Sequence, residues 1–144
     1  MKIKIIAVGK LKENFWINAI DEYKKRINPF CNLEIIEVPD NNDNVILNKI
    51  KKNNNTYNIA LCIEASQKTS KELAYFMADL MNKGKSTIVF IIGGSCGLSE
   101  NVKNNCDFNL SFGKITLPHN LARVVLVEQL YRSYTIINNK TYHK

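Results

Sequence analysis

The stretch Gly93-Gly94-Ser95-Cys96-Gly97 concentrates side chains and spacings able to do chemistry. It satisfies G-x-S-x-G, the elbow that exposes a nucleophilic serine at a strand-to-helix turn. Ser95, Asp107 and His119 also follow in the hydrolase order of nucleophile, acid and base. Three features weigh against acyl transfer. At 144 residues the chain is short for that fold, no HGGG-type segment supplies a second oxyanion donor, and Ser99–Asn105 is polar where a nucleophile-bearing helix is ordinarily buried. The spacing is neither G-x-G-x-x-G nor G-x-x-x-x-G-K-S/T, so the dinucleotide and P-loop readings fail as well. The glycines do allow a sharp turn and close approach of a ligand to main-chain N–H and C=O groups. Ligands of open α/β sheets sit in this place, outside the carboxyl ends of strands; a plain strand-to-helix turn is the bland alternative. Cys96 lies near a helix start, where a thiol gains reactivity, yet no histidine is close to it in sequence, and incidental occupancy is the better reading.

His119 and His143 are the two imidazoles, with an ordinary pKa of ~6.5 suited to proton transfer near neutrality. The four cysteines (Cys31, Cys62, Cys96, Cys106) form no CxxC pair, and with two histidines no metal cluster can be assembled by spacing; no metal is expected. Free thiols fit a reducing compartment. Met1–Gly9 reads as a strand and not as a signal peptide, and no apolar run approaches the ~20 residues that span a bilayer, so the expected location is cytoplasmic, without a membrane.

The elements that must position these groups follow from periodicity. Ile3–Val8, Leu33–Val38, Asn58–Ile63 and Thr87–Ile92 read as strands, with Asp107–Phe112 as a possible fifth. The third and fourth are nearly continuous in apolar residues, as expected for parallel strands covered on both faces. Phe15–Ile27 has apolar residues at helical spacing. Thr69-Ser70-Lys71-Glu72 matches a capping box, with the stripe Leu73, Phe76, Met77, Leu80, Met81 behind it and Gly84 placed to end the helix. Within the Asn- and Lys-rich segment Asp40–Asn55, Val45–Lys52 reads as a short exposed helix. Pro118–Asn138 is the longest helical pattern, with Pro118 at its first position. Its apolar residues cover so much of the circumference that it must be buried on more than one side, which suggests a second subunit. Alternating strands and helices predict one α/β domain over residues 1–144.

With 45% hydrophobic and 23% charged residues the composition is that of a globular protein, and the net charge is +7. Basic residues gather at the two ends: Gly113–Lys144 has Lys114, Arg123, Arg132, Lys140 and Lys144 against Glu128 alone. A solvated basic surface explains this as well as a nucleic-acid partner does; the second reading predicts affinity that falls steeply with salt.

The most specific stretch is Leu110-Ser111-Phe112-Gly113-Lys114-Ile115-Thr116-Leu117-Pro118-His119-Asn120-Leu121-Ala122-Arg123, continuing through Glu128-Gln129-Leu130-Tyr131-Arg132 to Tyr142-His143-Lys144. Together with Gly93-Gly94 and Lys4-Ile5-Ile6-Ala7-Val8-Gly9-Lys10, it closely resembles the ribosomal RNA large subunit methyltransferase H family, of the SPOUT class, from Met1 to Lys144. The resemblance implies a mainly parallel sheet with helices on both faces, a C-terminal trefoil knot and a homodimer. It implies S-adenosylmethionine as cofactor and N3 of a pseudouridine in 23S rRNA of assembled ribosomes as target. Carried over by position, the cofactor pocket comprises Leu61, Gly93, Phe112, Gly113, Lys114, Ile115, Thr116 and Leu117. Where relatives often have glycine after the third strand, this chain has Ala65-Ser66, which leaves the shape of that loop open.

For catalysis the resemblance and the residue types together nominate five residues. His119 and His143 are candidates to take the N3 proton; a capping role is the plain alternative for His119. Tyr142 and His143 read as substrate-side groups, reaching into their own site or across a dimer. Arg123 and Arg132 are candidate phosphate clamps, with a Glu128–Arg132 ion pair at i,i+4 as the alternative for the second. A catalytically silent RNA- or ribosome-binding module on the same fold is the competing function.

Overall fold

The computed structural model describes residues 1–39, 43–50 and 52–144. Five strands form one parallel sheet in the order β2-β1-β4-β3-β5: β1 Lys2–Val8, β2 Asn32–Val38, β3 Thr56–Gln67, β4 Thr87–Ile92 and β5 Phe108–Ser111. Each strand sends alternate residues to opposite faces. On β1 and β4, Ile3, Ile5, Ile88 and Phe90 enter one core, and Ile6, Val89 and Ile91 enter the other. Both sets are buried, which is why these strands carry almost no polar residues.

Helices α1 (Asn14–Ile27), α3 (Ser70–Asn82) and α5 (His119–Ile137) cover the first face; α2 (Asp43–Lys49) and α4 (Glu100–Asn104) cover the second. The capping box forms as expected: the Glu72 amide donates to Thr69 Oγ1 at 3.1 Å, and the Thr69 amide donates to Glu72 Oε1 at 2.8 Å. Expectation and structure differ at α2. It starts earlier than Val45 and buries Ile46 in the second core, so it is a packed helix and not a fully exposed one; Lys51, within the expected helix, lies outside the described residues.

At the far edge β3 is longer than its apolar run, because it breaks register with β5. Leu61 and Ser66 both align with Leu110, so residues 62–65 bulge out of the ladder, and Ala65-Ser66 leads back into the strand. Helix α5 lies between α1 and α3 with the sheet beneath. Three sides are therefore covered within one chain, and its apolar circumference does not by itself require a second copy. Pro118 is the cap residue of α5 and not its first helical residue, with φ −53° and ψ 139°. Among the described residues no helix is long and apolar enough to cross a membrane.

Candidate functional site

Three segments at the carboxyl ends of neighbouring strands converge on one cavity of about 890 Å³: the β3 bulge, the loop after β4 and the loop after β5. Seven of the eight residues expected to hold a cofactor line it: Leu61, Gly93, Phe112, Gly113, Ile115, Thr116 and Leu117. Lys114 is exposed and not among the lining residues.

The β4 loop folds back on itself. The Gly97 amide donates to Gly94 O at 3.0 Å, and a Cβ built on Gly93 would stand 2.5 Å from Gly97 C. Close approach is thus needed at Gly93, against its own loop and not only a ligand. Ser99 then caps α4 by accepting the Val102 amide at 3.2 Å.

Sequence reasoning assigned no role to Ser111, which joins two of the three segments. Its buried hydroxyl donates to Ile63 O in the bulge at 2.7 Å and accepts the Gly113 amide at 3.0 Å. Gly113, at φ +126°, turns the chain out of β5 there.

Of the catalytic candidates, His119 lines the cavity. No side chain caps α5, so the capping alternative for His119 is not what the structure shows. Arg123 corrects an expectation. Its side chain is 2% exposed, with Nη1 donating to Glu37 Oε2 at 2.7 Å and Nη2 to Gly9 O at 3.2 Å. A guanidinium enclosed this way ties α5 to the ends of β1 and β2 and cannot clamp a phosphate. Burial pushes the Glu37 carboxyl up, but the Leu11 amide at 2.9 Å and Arg123 outweigh it, and the net direction is down.

Tyr142 and His143 stand elsewhere, on the second half of α5. Asn139, at φ 55°, reverses the chain after the helix, and the Lys140 amide returns to Thr135 O at 2.8 Å. The tail then docks. Tyr142 donates its hydroxyl to Glu128 Oε2 at 2.8 Å, its ring meets Tyr131 edge-on at 4.7 Å, and Arg132 Nη1 lies 3.0 Å from His143 Nδ1. Arg132 also pairs with Glu128 at 2.8 Å, so the i,i+4 ion pair exists and is part of this cluster. Burial and then Glu128 push the Tyr142 phenol up; Glu128 itself is held low by Arg132 and Tyr142 against the opposing effect of burial.

The hydrolase arrangement does not assemble. Asp107 precedes β5, at the end of the sheet opposite Ser95 and His119, and accepts the Asn58 amide at 2.7 Å. Among the described residues no group of three or more His, Cys, Asp or Glu side chains could hold a metal.

The architecture is that of solved methyltransferases. It is similar to a candidate RNA methyltransferase from Bacillus anthracis, at TM-score 0.54 and 15% identity, covering 99% of each chain. It is also similar to the SpoU methyltransferase AviRb from Streptomyces viridochromogenes, at TM-score 0.52 and 12% identity, covering 97% of this chain and 62% of that longer one. In sequence, the family described as "Predicted SPOUT methyltransferase" matches residues 1–143, and the chain belongs to that family. Relatives named ribosomal RNA large subunit methyltransferase H align end to end: 44% identity in Clostridioides difficile (strain 630), covering 100% of both chains, and 45% in Clostridium novyi (strain NT), likewise.

Proposed function

We propose that this chain is an S-adenosylmethionine-dependent rRNA methyltransferase whose target is N3 of a pseudouridine in 23S rRNA of assembled ribosomes. The observation that carries the reading is the convergence of Leu61, Gly93 and five residues of 112–117 on one cavity, in a chain aligned end to end with relatives of that name.

The cavity fits the cofactor. Its volume lies within the roughly 300–1,000 Å³ of small-molecule sites. Leu61, Ile92, Leu98 and Leu117 offer apolar walls to an adenine ring, and the loops after β4 and β5 offer main-chain donors and acceptors. Glu64 and Lys103, one acid and one base in the lining, suit the ammonium and carboxylate of an amino-acid moiety. When bound, S-adenosylmethionine supplies a methyl group made electrophilic by its sulfonium. The protein's part is to orient the base and to manage the N3 proton. His119 is the histidine on the cavity wall and the group suited to accept that proton.

The tail supports a homodimer. Arg132 is thirteen residues beyond His119, about 20 Å along a helix rising ~1.5 Å per residue. His143 beside it is remote from the cavity of its own protomer, so it serves the cavity of a second copy. Exposed apolar Ile63, Phe112 and Ile115 around the cavity fit coverage by that copy. A cytoplasmic location, where ribosomes assemble, and the trefoil knot implied for the segments around the cavity belong to the same reading.

The test is incubation with methyl-labelled S-adenosylmethionine and ribosomes from cells lacking the enzyme. Label mapped to N3 of one pseudouridine is expected. Label on another nucleotide would displace the target, and no cofactor binding by calorimetry at millimolar concentration would leave a silent ribosome-binding module.

A further inference from the structure

The Arg132–His143 contact fixes which nitrogen of His143 can do what. Arg132 lies between two partners: Nη2 donates to Glu128 Oε2 at 2.8 Å and Nε to Oε1 at 3.3 Å, while Nη1 reaches His143 Nδ1 at 3.0 Å. A guanidinium has donors only and keeps its charge. Nδ1 in this contact must therefore accept, and it carries no proton. In a neutral imidazole the single proton then sits on Nε2, which becomes a donor. An imidazolium has N–H on both nitrogens and cannot make the contact at all. The arrangement is braced: Tyr142 donates to the same Glu128 carboxylate, its ring lies 4.8 Å from the Arg132 guanidinium carbon, and Gln129 Nε2 donates to Glu128 Oε1 at 2.8 Å.

We infer that His143 acts as a hydrogen-bond donor, through Nε2–H, to a carbonyl oxygen of the target base, with Arg132 and Glu128 as positioning residues that hold it in that tautomer. The inference rests on the methyl-transfer reading above and deepens it, because it removes His143 from the choice of base. As N3 gives its proton to His119 and onward to water, negative charge spreads onto the two carbonyl oxygens flanking N3. An N–H donor held in this tautomer stabilises that charge wherever the oxygen comes within hydrogen-bond reach of it. S-adenosylmethionine, when bound, would supply the methyl group to the N3 lone pair, with the C–S electron pair left on sulfur.

Two measurements on the full chain test this. In protein labelled with ¹⁵N-histidine, long-range ¹H–¹⁵N correlation should show His143 as the Nε2–H tautomer, with His119→Gln used for assignment, and Arg132→Met should mix the tautomers. A His143 resonance pattern of the Nδ1–H tautomer in the unsubstituted protein would overturn the inference. In the ribosome assay, His143→Gln, whose amide still donates but cannot take a proton, should stay within about tenfold of the parent, whereas His143→Leu should lose about 10²–10³-fold, as when one oxyanion donor is removed. Equal, severe losses in both variants, with cofactor binding and melting unchanged, restore His143 as a base and sink the inference. An unsubstituted protein that methylates nothing defeats the methyl-transfer reading instead, and the spectrum still decides the tautomer.

Discussion

Gly93 and Ser111 show how far residue types alone carry. Glycine at 93 signals a tight approach, and that much is legible; that the approach is to Gly97 depends on how the loop closes. Gly93→Ala puts a Cβ against backbone at 2.5–2.8 Å, so the loop must move rather than a side chain. Such a change is expected to destabilise by about 1–3 kcal/mol, the ordinary cost of overpacking, and to weaken S-adenosylmethionine binding at least tenfold. Calorimetry and a urea melt check it, and a variant that binds and melts like the parent contradicts the tight-turn account. Ser111 was invisible for a physical reason. A lone serine in a strand gains its role from a carbonyl 48 positions upstream, and the sequence contains no mark of that pairing.

The buried Arg123 acts between elements, fastening the start of α5 to β1 and β2. Removing the charge of its partner with Glu37→Gln leaves the guanidinium enclosed by neutral groups. The expected loss is about 1–3 kcal/mol in urea unfolding, as for a weakened charged hydrogen bond. The same pair gives a pH dependence. Glu37 and Glu128 both have carboxyls held below the ordinary value near ~4.3, so each contributes stability that is fully present above that value. That stability is lost as pH falls through the lower, folded-state values. Glu37→Gln should therefore lose less stability than the parent between pH 5 and about 2, as denaturant midpoints across that range will report. Arg123 and Arg132 look alike in sequence, two arginines on one helix of a basic protein, and only packing separates the enclosed one from the one in the tail cluster.

At the scale of the whole molecule, the cavity and the tail cluster occupy opposite halves of α5. If they cooperate across a two-fold, activity is an oligomer property. Deleting Tyr142–Lys144 should abolish methylation and spare cofactor binding. Mixing that truncation with Gly93→Ala under subunit exchange should restore up to about a quarter of the parent rate, because half of the dimers formed are mixed and each has one intact site. Restored activity in the mixture supports a tail working in trans; a truncation that methylates at full rate by itself removes the tail from the mechanism.

Most strand and helix positions in this protein were readable from period and capping, since apolar alternation and the Thr69–Glu72 pair are local signals; the bounds and burial of α2 and the length of β3 were not. The family was readable from the 110–132 stretch and the terminal Tyr-His-Lys. Strand order was not, because nothing local places β4 between β1 and β3. Nor were the β3 bulge, the enclosure of Arg123 and the docking of the tail through Glu128. Each of these is a contact between segments distant in the chain, decided by which surfaces the folded sheet brings together.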